Sequence, residues 1–146
     1  MKFENYIKLE FPSKSSNEGL ARSVAGVFAS QMDPTMEELG DIKTAVSEAV
    51  TNCIVHAYPD CIGKIMMRCR ILDENRLEIV IRDWGIGMED VEKARSPLFT
   101  TGGSERSGMG FTIMESFMDK LTVRSRVGEG TTVVLSRSLP RRGRSR

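Results

Sequence analysis

Three groups of residues in this 146-residue sequence have types and spacings that can do chemistry. The first is Glu48, Asn52 and His56, each four residues after the last, which on a helix sets a carboxylate, an amide and an imidazole along one face. An amide carbonyl can ligate a hard cation such as Mg²⁺, and a carboxylate one turn away can accept a proton. A polar helix edge turned to solvent accounts for the same spacing. The second group is Asp83-Trp84-Gly85-Ile86-Gly87-Met88, directly after an apolar alternating run. A carboxylate at a strand end can accept a hydrogen bond from the exocyclic amine of a flat ligand, while glycines let the backbone pass close to it. A plain turn is the alternative, and the dinucleotide fingerprint is excluded because an aperiodic stretch, not a helix, follows. The third is Ser107-Gly108-Met109-Gly110-Phe111, glycines at the start of a helical pattern. Free N–H groups at a helix N-terminus attract phosphate, although a lid hinge would use the same residues. Gly128-Glu129-Gly130-Thr131 is a weaker fourth, since a hairpin turn explains its glycines.

The elements that must hold these residues follow from periodicity. Ile7, Leu9 and Phe11 alternate with Tyr6, Lys8 and Glu10 and stop at Pro12, which reads as a first strand. Leu20, Val24, Val27 and Phe28 recur at helical spacing, predicting an amphipathic helix over 17–31 from which Arg22 projects. Asp33-Pro34 reads as a helix start, with Asp as cap and Pro as the first helical residue. The stripe Met36, Leu39, Ile42, Val46, Ala49, Val50 and Cys53 then carries that helix toward Ala57. Residues 64–72 and 77–81 alternate around Asp73-Glu74-Asn75 as a hairpin. Periodicity is lost from Asp83 to Gly108, and a loop that long inside a compact domain is usually functional. Phe111, Met114, Phe117 and Met118 restore a helix, and 121–127 and 131–135 form a last pair of strands. The order β-α-α-β-β-loop-α-β-β predicts an α+β two-layer sandwich whose sheet is mixed but mostly antiparallel, with helices on one face. It makes residues 1–140 one domain and leaves 141–146 as an Arg-rich C-terminal tail outside the fold.

Composition bounds the function classes. The chain carries 21 Lys and Arg against 20 Asp and Glu, a net of +1, with 40% hydrophobic and 28% charged residues, which supports a real core and excludes disorder. Four of those cations lie in Arg141-Arg142-Gly143-Arg144-Ser145-Arg146, so residues 1–140 hold 17 basic against 20 acidic groups, a net of −3. A mildly acidic body argues against a direct nucleic-acid partner. No apolar run reaches membrane-spanning length and no signal peptide is present, so a cytoplasmic protein without a membrane role is expected. Cys53, Cys61 and Cys69 stand eight residues apart, matching neither a redox pair nor a zinc site, and read as packing residues.

The series Glu48-x-x-x-Asn52, Asp83-x-Gly85-x-Gly87, Gly108-x-Gly110 and Gly130-Thr131 resembles, in that order, the nucleotide-binding motifs of the ATPase and kinase superfamily of gyrase, Hsp90, histidine kinases and MutL. The resemblance covers about residues 40 to 135. Ser47-Glu48-Ala49-Val50-Thr51-Asn52 with His56-Ala57-Tyr58, Pro97-Leu98-Phe99-Thr100-Thr101 and the run Glu105 to Met114 look most like the sporulation members of its bacterial anti-sigma factor branch. The resemblance implies the Bergerat-type ATP-binding fold, with ATP or ADP between the helices and the long loop. It implies that Asp83 bonds the adenine amine, that Gly85, Gly87 and Met88 shape the floor, and that the Thr131 hydroxyl supports the same end. Asn52 would ligate Mg²⁺. Ser107, Gly108, Met109, Gly110 and Phe111 would wrap the phosphates, while Thr100, Thr101 and Arg106 belong to a lid near the terminal phosphate.

Glu48 is then the implied catalytic base. A serine hydroxyl, unlike a histidine ring nitrogen, must give up a proton as phosphoryl transfer proceeds. The resemblance implies a protein-serine kinase that phosphorylates an anti-anti-sigma factor on serine and, as a homodimer, binds and inhibits a sporulation sigma factor of the sigma F kind. Arg22 is the implied partner contact, and the exposed edge of the 6–11 strand offers a pairing site. A sigma-sequestering protein without kinase activity is the alternative. A sensor histidine kinase would need an accepting histidine upstream, whereas His56 lies inside the nucleotide helix. A gyrase-like clamp would need a transducer that 146 residues cannot contain.

Overall fold

Alternating apolar residues in five segments build one sheet, and the computed structural model describes residues 3–95 and 110–140 of it and its helices. The elements run β1 (Phe3–Pro12), α1 (Ser16–Ala29), α2 (Met36–Asn52), β2 (Lys64–Leu72), β3 (Arg76–Asp83), α3 (Val91–Arg95), α4 (Gly110–Phe117), β4 (Lys120–Arg126) and β5 (Gly130–Ser138). Strand order is β1-β2-β3-β5-β4, and each of the four pairings is antiparallel. The helices α1, α2 and α4 pack on one face, with the core between layers formed by Ile42, Val46 and Val50 of α2 against Ile65, Met67, Ile79, Ile81 and Leu135 of the sheet. This is the expected two-layer α+β arrangement, except that the sheet of the described residues is wholly antiparallel where a mixed one was expected, since no described pair of neighbouring strands is joined by a parallel crossover. β1 occupies one edge, as a strand available for pairing must.

Three local expectations are corrected. The buried stripe of α1 is Ala21, Ala25, Phe28 and Ala29, while Leu20 and Val27 are 49% and 74% exposed. Small residues face α2, where Gly26 lies against the Lys43 stem, so the close-packed face is rotated about one position from the one that large side chains suggest. The N-cap of α2 is Thr35, not Asp33. Thr35 Oγ1 accepts from Glu38 N at 3.1 Å and Glu38 Oε1 accepts from Thr35 N at 2.8 Å, a reciprocal capping box. Asp33 instead takes a left-handed conformation, φ 57°, closing the 3-10 turn after α1, and Met36 is 84% exposed.

Beyond Asn52 the second helix continues as a π-turn, Cys53–Ala57, which widens the coil where it meets the sheet. The stretch expected to lack periodicity holds the short helix α3, and residues 96–109 lie outside the described set. No helix among the described residues is long and apolar enough to cross a membrane.

Candidate functional site

The π-turn, the β3 exit, the start of α4 and the β4–β5 turn enclose a cavity of about 590 Å³. Its wall includes Asn52, Cys53 and His56 from the second helix, Asp83, Gly87 and Met88 from the β3 exit, Gly110 and Phe111 from α4, and Thr131 from β5. Residues scattered over 80 positions in sequence thus share one pocket.

Asp83 ends β3 on the helix side of the sheet and is 3% exposed. Its Oδ1 accepts from Gly85 N at 2.9 Å and Thr131 N at 3.1 Å. The Cys53 thiol stands beside the carboxylate and acts on it in the same sense as a donor. Burial raises the Asp83 pKa above its ordinary value of 3.8, and these donors and the Arg82 charge act in the opposite direction. A buried carboxylate aimed into a partly apolar cavity is a strong acceptor for an amine on a flat base.

The backbone after Asp83 is fixed from three sides. Trp84 N donates to Tyr58 Oη at 2.7 Å and Ile86 N to the Ala57 carbonyl at 3.0 Å. Gly87 has φ +76°, and a Cβ there would overlap the Arg126 carbonyl, so both conformation and space demand glycine. Met88 N donates to Ser125 Oγ at 2.8 Å, and Ser125 Oγ lies 2.7 Å from Thr131 Oγ1. The Thr131 hydroxyl therefore engages Ser125, and it is the Thr131 N–H that reaches Asp83. Ser125 was missed by sequence reading. Its signal is a polar residue continuing the core-facing Leu121-Val123 alternation of β4.

At the opposite end, Gly110 opens α4 directly on the second helix. A Cβ at Gly110 would sit 3.3 Å from both amide atoms of Asn52 and 3.5 Å from Glu48 Oε1. The absence of a side chain at Gly110, the first described residue of α4, lets this helix approach the carboxylate and the amide. Asn52 offers one hard oxygen; the described residues hold no group of three or more His, Cys, Asp or Glu able to form an all-protein cation cage. That donor set suits Mg²⁺, which characteristically takes one or two protein oxygens and completes its shell with water and phosphate. Lys93, Glu89 and Asp90, from α3 and the residues before it, also line the cavity and were not anticipated.

Of the expected site residues, Thr100, Thr101, Arg106, Ser107, Gly108 and Met109 lie outside the described residues. Gly85 bonds the Asp83 carboxylate through its N–H but is not part of the cavity wall. Arg22 stands apart on α1, its guanidinium 3.0 Å from Glu18.

The family model for the histidine kinase-like ATPase domain matches residues 11–137. The chain is 56% identical over 142 residues to the anti-sigma F factor of Caldanaerobacter subterraneus subsp. tengcongensis, covering 97% of this chain and 99% of that protein. It is 48% identical over 135 residues to the anti-sigma F factor of Clostridium acetobutylicum, covering 92% and 94%. Among solved structures, the RsbU and RsbW domains of Rv1364c from Mycobacterium tuberculosis superpose with a TM-score of 0.68 at 16% identity, over 94% of this chain and 33% of that one. The histidine kinase domain of the Erythrobacter litoralis EL346 blue-light activated kinase gives 0.57 at 20% identity, over 84% and 61%. These two likenesses concern the fold.

Proposed function

We propose the activity of this chain from the premise that it belongs to the anti-sigma F factor family, within the histidine kinase-like ATPase domains. It is an anti-sigma factor with a nucleotide-binding domain. The finer reading is that ATP-bound dimers hold a sporulation sigma factor of the sigma F kind away from RNA polymerase, and that the same site phosphorylates a serine on an anti-anti-sigma partner. Residues 1–140 form the kinase domain in this reading, and 141–146 a tail outside it.

The observation that carries it is the convergence of Glu48, Asn52 and the α4 N-terminus at Gly110. Asp83 selects adenine by accepting its amine, with the Thr131 N–H and Ser125 fixing the wall around it. Asn52 presents an amide oxygen for Mg²⁺, which when bound offsets phosphate charge. Backbone N–H groups at the start of a helix favour phosphates, and α4 supplies them here. Glu48 takes the proton of the incoming serine hydroxyl, a role that adds about 10²–10⁴-fold to such a transfer. Thr100, Thr101, Arg106, Ser107, Gly108 and Met109 complete the phosphate side in this reading. Phosphorylating the partner adds negative charge, which weakens its return to the same surface.

The test is to incubate the protein with Mg·ATP and an anti-anti-sigma candidate and search for phosphoserine by mass spectrometry. Transfer abolished in Glu48→Gln with ATP still bound supports the base. Absence of phosphoserine while ATP is demonstrably bound leaves sigma sequestration alone.

A further inference from the structure

The helices cover one face of the sheet, and the pleat sends Lys64 of β2, Arg82 of β3 and Arg124 and Arg126 of β4 to the other. In register, Arg82 pairs with Thr132 and Thr132 with Arg124, so two arginines flank one threonine across three adjacent strands. Two strand spacings separate them, about 10 Å. Elsewhere on this face Glu78 holds Arg70 at 2.5 Å and lies 3.9 Å from Arg68, and Glu10 lies 3.9 Å from Lys8. Arg82, Arg124, Arg126 and Lys64 are all exposed and form no ion pair among the described residues. Between them stands Trp84, 40% exposed, with Lys64 Nζ 4.4 Å and the Arg82 guanidinium 4.7 Å from its ring centre. Four unmatched cations around a half-exposed tryptophan contrast with a body that carries a net negative charge.

We propose that this cluster is a docking site for an acidic segment of a protein partner, with carboxylates engaging Arg82 and Arg124 on either side of Thr132 and an apolar side chain resting on Trp84. Arginine and tryptophan together are the composition of interface hot spots, and arginine forks match carboxylates bidentately. Carboxylates two to four residues apart in an extended segment span roughly 7–13 Å, which brackets the arginine separation. A polynucleotide fits less well because carboxylates bound the cluster. Glu10 ends the same cross-strand row beyond Met66, and Glu129 follows Arg126 in the β4–β5 turn. A continuous phosphate chain would run over one or the other, whereas a short acidic segment ends between them. This site lies on the sheet face opposite the helix that carries Arg22, and it stands whether or not the protein is a kinase.

Trp84 is the chain's single tryptophan and so reports its own surroundings. The full chain is titrated at low salt with a dodecapeptide of Asp and Glu containing one central Leu, and separately with a dodecamer of deoxythymidylate. The expected result is a saturable change in Trp84 emission with the peptide, and weaker binding of the oligonucleotide. Arg124→Glu and Arg82→Glu should each lower peptide affinity at least tenfold, while Lys14→Glu on the β1–α1 loop leaves it unchanged. Because Arg82→Glu also alters the tryptophan's surroundings, Arg124→Glu and its unchanged ATP affinity carry the comparison. No saturable change, an equal loss in Lys14→Glu, or tighter binding of the oligonucleotide each overturns the proposal.

Discussion

Ser47 of α2 donates its hydroxyl to Glu18 of α1 at 2.6 Å, and the same carboxylate oxygen accepts Arg22 Nε at 3.0 Å. Arg22 is therefore a half-exposed cation held on its helix by a carboxylate that is itself tied to the residue preceding Glu48. The surface proposed for partners and the helix proposed for catalysis share one hydrogen-bonded chain.

Arg22→Ala is expected to weaken binding of the sigma factor tenfold or more while leaving ATP affinity within twofold. Ser47→Ala removes a hydrogen bond to a charged group, an interaction of about 1.5–3 kcal/mol at most, and loosens the arginine without deleting it. A smaller loss of sigma affinity, about three- to tenfold, is expected there. Calorimetric titrations of each variant with sigma factor and with ATP separate the two; a loss of ATP affinity in Arg22→Ala would place that residue at the nucleotide instead.

Gly110 is the contact on which the phosphate end of the pocket depends. The 3.3 Å approach of a Cβ to Asn52 is already tight, and a branched side chain has no room beside Glu48. Gly110→Val should lower ATP affinity at least tenfold. Its far-ultraviolet circular dichroism should remain that of the parent, because the residue begins a helix. Unchanged ATP affinity would mean that phosphates do not meet this helix end.

The fold was legible where large side chains declared a period. Ile65-Met67-Cys69-Ile71 and Leu77-Ile79-Ile81 alternate so regularly that their hairpin and its buried face follow directly. The α1 face is not legible in the same way, because Ala21, Ala25 and Ala29 bury as completely as any leucine yet leave no stripe of large apolar residues to read. Asp33-Pro34 offers as good a local helix start as Thr35, and only the Glu38 side chain turning back decides between them. In the site, Asp83, Asn52 and Gly110 could be read from type and order. The bond of Ser125 to Met88 N and the place of Lys93 in the cavity wall depend on β4 and α3 lying against residues distant in sequence.

The three cysteines should report the packing. Cys53 and Cys69 are buried, and burial pushes the Cys69 thiol up to about 12 and raises Cys53 well above its ordinary value. Cys61 is exposed in the loop before β2. Since the thiolate is the reactive form, one thiol per chain should react with a disulfide reagent in the native protein at pH 8, and three after unfolding. Loss of the fast phase in Cys61→Ser identifies it; two fast thiols would show that one of the buried sites opens to solvent.

The raised pKa of Asp83 makes two predictions of opposite sign. In the free protein, a carboxyl whose folded pKa exceeds its ordinary 3.8 contributes stability below that value and loses it as pH rises through the folded pKa, so its charged form is a cost at neutral pH. Asp83→Asn keeps the carbonyl oxygen that receives the Gly85 and Thr131 N–H groups, and the free variant should melt no lower than the parent at pH 7. The adenine amine, by contrast, needs the full acceptor. ATP affinity at pH 7 should fall at least tenfold in the variant. The ratio of parent to variant affinity should decline as pH is lowered through the raised Asp83 value, above pH 3.8. Taking that ratio cancels the titration of the ATP phosphates, which both proteins share. A ratio that stays constant from pH 8 to pH 4 would show that the Asp83 charge does not engage the base.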